Sequence, residues 1–410
     1  MSILNGKKAA EDYSVDSNEA LELKLVRKAA DVEDASMSFK TEMSHQVFGE
    51  NESIFGYKNL KIQLYYTAGS LNTYLGMKYS AKIDPKRFGG LEADEVLAPI
   101  AEKLQPGFHT NLDEFIKSID HERSFKPFGQ LQHAFSVTSE GGIDRRFELY
   151  HCEIADKGFL SFHERLQTFL LWYVDAASFI DVDDDKWCFF LVFEKYVMDG
   201  ETRYAVCGYG TLYRYYAYPN RIRPRISQFL ILPPFQRMGL GVELLETMYR
   251  HFQADPNVLD ITVEDPSEQF VRLRDFVDCK ACLKLSSFQN DQLRKGFRQD
   301  MVQEAQTKLK LNKKQTRRVF EILRMKATNT GDAEDYKQYR LIVKKRLNIP
   351  YQKEQNDLAK LHKALNADEL KAAISMSTKE VHIMELDKLY RELEEEYRKI
   401  VERLATANLN

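Results

Sequence analysis

One short stretch limits what this chain can fold into more than any other: SQFLILPPFQRMGLGVELLETMYR, residues 227–250. Residues 225–232, RISQFLIL, read as a strand, which Pro233-Pro234 ends. Gln236-Arg237-Met238-Gly239-Leu240-Gly241 follows, and an amphipathic helix over 240–252 begins without delay. Glycines at 239 and 241 let the backbone approach a ligand closely. The first turn of such a helix presents unpaired N–H groups and the positive end of its dipole, which suits a diphosphate. A dinucleotide fingerprint would need a third Gly or Ala three residues on, and position 244 is Leu. The Gly-Lys-Ser/Thr of a P-loop is absent. A further strand over 259–263 completes a β-α-β unit, whose two strands are expected to be parallel neighbours.

The rest of the chain divides around this unit. Residues 1–20 are small and polar and are expected to be flexible. Residues 21–135 read as a mixed α/β domain, with strands at 21–26, 60–66 and 73–82 and short helices at 94–104 and 111–121. The segment 125–130 (FKPFGQ) reads as a linker or tight turn, and Gly141-Gly142 as a second break. Residues 136–270 hold strands at 147–154, 187–196 and 203–215, and a helix over 161–177. A turn at Met198-Asp199-Gly200 joins two of those strands. Residues 271–410 read as almost wholly helical. Ser377-Thr378-Lys379-Glu380 is a capping-box pattern. It precedes Ile383, Leu386, Tyr390, Leu393, Tyr397, Ile400 and Leu404, whose 3-4 spacing fits a coiled-coil seam. The same spacing is more often a long helix packed on its own domain.

With 43% hydrophobic and 12% aromatic residues in 410, the chain can bury more than one core. No run approaches the ~18 apolar residues of a membrane span, and no apolar leader opens the sequence. Five scattered cysteines argue against a disulfide framework and for a reducing compartment. Cys279 and Cys282 form a single CxxC with no second pair and no nearby His, so no metal is expected. No HExxH and no GxSxG elbow occurs. The net charge of -3 is a cancellation. Residues 1–270 hold 41 acids and 29 bases, whereas 271–410 hold 21 acids and 30 bases. The acidic part carries the anion loop. That polarity favours a cationic substrate and disfavours nucleic acid at the site.

The pattern Gln-Arg-x-Gly-x-Gly after a strand resembles the acetyl-CoA loop of the GNAT acetyltransferases. The resemblance extends further. FGYKNLKIQLYY, FKPFG, HERLQTFLLWYVDAASFIDVDDDKW, FLVFEKY, YPNRIRPRISQFLILPPFQRMGLG and LDITVEDPSEQFVRLRDF together resemble the type B histone acetyltransferase catalytic subunits over roughly residues 20–350. The resemblance implies an α+β GNAT fold with a mixed α/β N-terminal domain and a helical C-terminal domain. It implies acetyl-CoA as co-substrate and the tail of newly made, free histone four as acceptor. Backbone groups of Phe229, Leu230 and Ile231 would pair with the pantetheine, and one N–H would polarise the thioester carbonyl. Gln236, Arg237, Met238, Gly239, Leu240, Gly241 and Val242 would wrap the diphosphate. Ser267 stands where family members carry a polar Asn or Ser near the thiol.

A lysine ammonium with a pKa of ~10.4 is only ~0.1% neutral near pH 7.4, so its attack needs a proton acceptor. Glu264 is the principal candidate and Asp265 its partner or a substrate anchor, both at the end of the strand after the cofactor helix. Asp265-Pro266 also fits an ordinary helix N-cap. Asp175 is a third candidate, standing where the family carries Glu. A cationic tail needs an acidic groove with aromatic walls. Asp181, Asp183, Asp184 and Asp185 beside Trp187 supply one, and Tyr213, Tyr215, Tyr216 and Tyr218 crowd one strand end. The resemblance places Glu50, Glu52, Trp187, Tyr213 and Tyr215 in the groove. Arg214 is expected on the opposite face, since neighbours in a strand alternate. The family also implies a WD-repeat β-propeller histone chaperone as partner and a location in cytoplasm and nucleus. No import signal is evident, because Lys313, Lys314, Arg317 and Arg318 fit a solvated helix face better. Two other functions stay open at this point: acetylation of small amines on the same fold, and a non-catalytic histone-binding scaffold.

Overall fold

The computed structural model describes residues 12–138, 142–361 and 379–407. The chain forms two compact units, Met1–Tyr215 with Arg225–Met248, and Tyr216–Pro224 with Tyr249–Asn410. Both carry helices, and the sheets lie chiefly in the first, so the class is α+β as expected.

In the first unit the strands Gln130–Thr138, Asp144–Glu153, Trp187–Met198, Glu201–Ala217 and Arg221–Ile231 lie side by side in that order, the last entering this unit at Arg225. Two central strands are buried almost throughout, from Cys188 to Phe193 and from Ala205 to Leu212. The turn at Asp199-Gly200 forms as expected, with both residues at positive φ. A second sheet runs in the order Ser38–Phe39, Leu21–Val26, Lys61–Thr67, Thr73–Lys78. Its central pair is parallel, Leu21 facing Ile62 and Leu25 facing Tyr66. Its core gathers Val26, Val32, Tyr65, Tyr74, Phe115 and Ile119. Lys24 is buried beside it, and its Nζ donates to the carbonyls of Val32 and Asp34 at 2.6 and 2.9 Å.

Four expectations need correction. The domains expected at 21–135 and 136–270 share one unit, and the helical unit takes in the chain from Tyr249 rather than from 271. The chain just past the strand Lys61–Thr67 meets the first sheet, Val206 N donating to Ala68 O at 2.8 Å, and Tyr66 OH of the second sheet meets Thr168 Oγ1 of a helix at 2.9 Å. Residues 14–20 are ordered. Ser14–Asp16 pairs with Ser53–Phe55, and the Asp16 carboxylate caps the turn Ser17–Ala20. The strand Gln130–Thr138 begins where a linker was expected to end. The helix expected over 161–177 is broken into Phe159–Leu166, Gln167–Phe169 and Leu170–Tyr173. It stops there because the Trp172 carbonyl accepts from Glu42 N and Met43 N, and Val174 turns to extended backbone. The break expected at Gly141-Gly142 and the capping box from Ser377 fall wholly or partly outside the described residues.

In the second unit the start of a strand, Arg221–Pro224, lies beside 258–263. Ile222 pairs in parallel with Val258, as the β-α-β reading required, and Thr262 Oγ1 donates to Pro224 O. The helices Glu268–Cys282, Lys313–Lys326, Ala333–Leu347 and Lys379–Ala407 pack together, with Tyr339, Val343 and Tyr390 at one centre. The terminal seam divides. Tyr390, Tyr397, Ile400 and Leu404 are buried in their own unit, whereas Ile383 is exposed. All five cysteines are free and buried. Among the described residues no helix is long and apolar enough to cross a membrane.

Candidate active site

The anion loop is built by three local devices. Gln236 Nε2 donates back to Ile231 O at 2.9 Å, which folds the chain over the end of its strand. Arg237 and Gly239 both take positive φ, +61° and +84°. The helix Leu240–Gln253 then begins, with Val242 N and Glu243 N bonded to Gly239 O at 3.0 and 3.3 Å. The N–H groups of Leu240 and Gly241 donate to no described group, and a Cβ at Gly239 would meet nothing within 4 Å. An open backbone with two spare donors at a positive helix end fits a diphosphate. Phe235 and Leu240, both buried, hold the loop from below.

Strand and loop are braced from the other side of the sheet. A Cβ at Gly208 would fall 2.3 Å from Leu230 O, so only glycine permits the approach of these two strands. Arg145 spreads its guanidinium over Phe147 and Phe235, and Nη1 lies 3.4 Å from Met238 Sδ in the loop. Its Nε and Nη2 donate to Glu194 at 2.7 and 2.9 Å. Glu194 also takes Arg27 Nη2 at 2.5 Å, from the N-terminal sheet. Burial works against a charge on Glu194, but the bonds and charges of Arg145 and Arg27 outweigh it and hold the carboxyl below its ordinary range. In the first turn of the helix Leu240–Gln253, Glu243 meets His133 of the edge strand at 3.2 Å.

Trp187 and Tyr213 are cross-strand partners with rings 5.1 Å apart, and Tyr215 lies 4.5 Å beyond Tyr213. Tyr213 OH donates to Asp184 at 2.8 Å, and the Lys186 N–H first, then this hydroxyl, hold that carboxyl low. The structure therefore brings Trp187, Tyr213, Tyr215 and Asp184 into one cluster. Asp181 serves its own turn by accepting from Asp183 N. Arg214 does leave for the opposite face, pairing with Glu153 at 2.6 Å. Arg225 lies 4.7 Å over the Tyr215 ring, a cation placed where the groove was expected to be acidic.

The Glu153–Arg214 pair carries a pH dependence. Burial raises the Glu153 carboxyl, but bonds and charges from His151 and Arg214 outweigh it and bring it down to about 2 from an ordinary 4.5. A depressed acid stabilises the fold fully above its unfolded pKa and loses that contribution as pH falls through the folded one. The gap in Tm between the wild type and Glu153→Gln is therefore expected to be widest above pH 5 and to close toward pH 2. A gap that grows as pH falls would contradict this assignment.

Glu52 departs from expectation. Its Oε1 accepts from Ser44 N and His45 N at 2.5 and 3.0 Å, and its Oε2 from Asn18 Nδ2 at 2.8 Å. The backbone bond from Ser44 leads in holding its carboxyl low. It thus caps the turn His45–Phe48, while Glu50 stands exposed at the tip beside it. Asp175, also exposed, meets His45 Nε2 at 3.0 Å, and His45 Nδ1 lies 3.6 Å from Glu52. His45 therefore joins two of the expected residues, and nothing in the sequence marked it.

In the second unit Glu264 and Asp265 are exposed directly after the strand Thr262–Val263. Asp265 takes a φ of +29°, a conformation that L residues seldom adopt and that functional sites hold at a cost of about 1–3 kcal/mol. Neither Asp265 nor Pro266 caps the next helix. Ser267 does, its Oγ accepting from Phe270 N at 3.2 Å. The ordinary explanation for Asp265 therefore fails, and Ser267 has a structural duty.

Two family models match the chain. One, "Histone acetyl transferase HAT1 N-terminus", matches residues 13–175, and the other, "Histone acetyltransferase type B catalytic subunit, C-terminal", matches residues 274–325. The histone acetyltransferase type B catalytic subunit of Homo sapiens is 49% identical over 400 residues, or 97% of this chain and 95% of its own. That of Rattus norvegicus is 49% identical over the same shares of both chains. One from Dictyostelium discoideum is 36% identical over 324 residues, or 77% of this chain and 68% of its own.

Proposed function

This chain belongs to the type B histone acetyltransferase catalytic subunit family, and from that premise we propose that it acetylates a lysine of the free histone four tail, ahead of chromatin assembly, by direct transfer from acetyl-CoA. The observation that supports this most is the loop between Ile231 and Leu240. Its bent-back Gln236, positive-φ Gly239 and spare donors at Leu240 and Gly241 fit a diphosphate-bearing co-substrate.

Bound acetyl-CoA supplies the acetyl thioester. The chain's own residues do the rest. Backbone groups over 229–231 pair with the pantetheine, and one N–H polarises the thioester carbonyl. Residues 236–242 hold the diphosphate. Glu264 accepts the lysine proton, directly or through water, with Asp265 anchoring the substrate. The neutral lysine nitrogen would then bond the acetyl carbon as the thioester C–S bond breaks, and coenzyme A would leave as a thiolate that takes up a proton. Trp187, Tyr213 and Tyr215 clamp the lysine stem, and Glu50 and Asp184 attract the basic tail. Glu52 acts by fixing the turn that carries Glu50. Asp175 acts through His45 rather than as the base. A WD-repeat β-propeller chaperone presents the histone, and the enzyme works in cytoplasm and nucleus.

Mass spectrometry of histone four tail peptides incubated with acetyl-CoA and this chain tests the reading. Acetylated tail lysines are the expected result. Acetylation of polyamines alone would favour the small-amine reading, and no transfer at all the scaffold. A second check concerns the loop. Gly239→Ala is expected to weaken acetyl-CoA binding about tenfold, because an L residue at that φ costs about 1–2 kcal/mol and the loop must shift. Calorimetry reads this, and an unchanged Kd would remove the loop from the cofactor site.

A further inference from the structure

The helical unit contains a cavity of about 1100 Å³ made by side chains of that unit alone. Six of its thirteen lining residues are cations and none is an acid: Lys313, Lys314, Arg317, Arg318, Lys345 and Arg346. The three arginines are fixed from behind. Arg317 and Arg346 share the fully buried Glu321 at 2.9 and 2.8 Å, and Tyr397 OH donates to the same carboxylate at 3.1 Å. Arg318 is held by buried Asp275 at 2.6 Å and by Glu396 at 3.3 Å. Arg317 also lies 4.9 Å over the Phe297 ring. These guanidiniums are therefore pre-set rather than free to swing away.

The three lysines form no ion pair with a described residue. Glu321, Asp275 and Glu396 thus face six cations, which leaves a local excess of three. Two of those lysines occupy the first turn of the helix Lys313–Lys326, where the dipole is already positive. Like charges gathered at one mouth repel each other, and an anion seated there would relieve that repulsion. The walls between the cations are apolar, from Phe297, Ile342, Ile349 and Tyr397.

Both features narrow the occupant. A polyphosphate would answer the charge and leave the apolar walls bare. A nucleic-acid strand is met by cations set in a row along its phosphates, whereas these ring one pit. The size suits a segment of a few residues. We propose that this cavity binds an acidic peptide segment of a partner protein, rich in Asp and Glu and carrying one or two large apolar side chains. The assignment stands apart from the transferase reading, since it uses none of that site's residues.

Fluorescence anisotropy with the full chain tests it. The probe is a labelled Glu-Glu-Asp-Leu-Phe-Glu-Asp-Glu peptide in 50 mM salt. Saturable binding that weakens as salt rises is expected. Replacing Leu-Phe by Ser-Ser in the peptide should weaken it about fivefold or more, for loss of the apolar anchors. The variant Lys313→Glu/Lys314→Glu/Lys345→Glu should lose about tenfold or more. Its melting curve and acetyl transfer should stay as in the wild type, since all three side chains are exposed. Should charge reversal disturb the fold, the Lys→Gln triple variant replaces it. The proposal fails if no saturable binding appears, if the triple variant binds as well, or if the Ser-Ser peptide matches the probe. Binding of tripolyphosphate without the peptide would make this a phosphate site and equally overturn it.

Discussion

Replacing Glu264 with Gln is expected to lower kcat on a histone four tail peptide by about 10²–10⁴-fold, the usual worth of a positioned general base. The side chain keeps its shape and loses its negative charge and its capacity to take a proton. KM for acetyl-CoA should hardly move, because the contacts assigned to the co-substrate lie at 229–231 and 236–242. The pH–rate profile is the sharper readout. The variant's profile should differ in shape from that of the wild type if Glu264 takes the proton. A variant with normal kcat and an unchanged profile would dismiss Glu264. Asp175→Asn serves as the contrast. Its carboxylate already meets His45 at 3.0 Å, so its loss should alter peptide KM more than the profile.

The second large effect concerns stability. Glu194→Ala is expected to destabilise the fold by about 3–5 kcal/mol, the usual cost of removing one partner from a buried ion cluster. Glu194 is only 6% exposed and neutralises two arginines at once, Arg27 and Arg145. Without it both guanidiniums stay half-buried with no counter-charge. Urea unfolding measures the loss, and a change under about 1 kcal/mol would show the cluster to be incidental. Arg145 also reaches Met238, so affinity for acetyl-CoA should fall in the same variant even at temperatures where it stays folded. Glu194→Gln, which keeps a hydrogen-bond acceptor, should fall between the two.

These two positions show what could be read in advance. The turn at 236–242 was legible as a strand-to-helix loop because its signals are local. A strand, two glycines and a helix follow one another within about twenty residues, and each has its own spacing rule. The edge strand Gln130–Thr138 was legible in principle, since Leu131, His133, Phe135 and Val137 alternate with polar or small residues. The neighbouring Gly and Pro of FKPFGQ outweighed that pattern. Glu194 and Arg145 were not legible. Arg27 lies 167 residues from Glu194, and nothing in a strand's alternation says which inward acid will meet which arginine. Glu52 shows the opposite failure. As a charge in an acidic loop it read as a groove residue, whereas three donors from Asn18, Ser44 and His45 make it a cap. Composition counted the acids in the first 270 residues without saying which were already engaged.

The helix Lys379–Ala407 is one hydrogen-bonded rod with two different environments along it. From Tyr390 onward its apolar stripe is sealed, whereas Ile383, Met384 and Leu389 are exposed. Helical order in water is marginal without packing, so the rod's resistance to opening must rise from one end to the other. Amide protons before about residue 390 would exchange through brief local unravelling, and those after it only when the whole unit opens. The same element then belongs to two cooperative regions. Its first turns are held by polar contacts, His382 to Asn348 and Asp387 to Lys344, and the remainder by buried apolar packing.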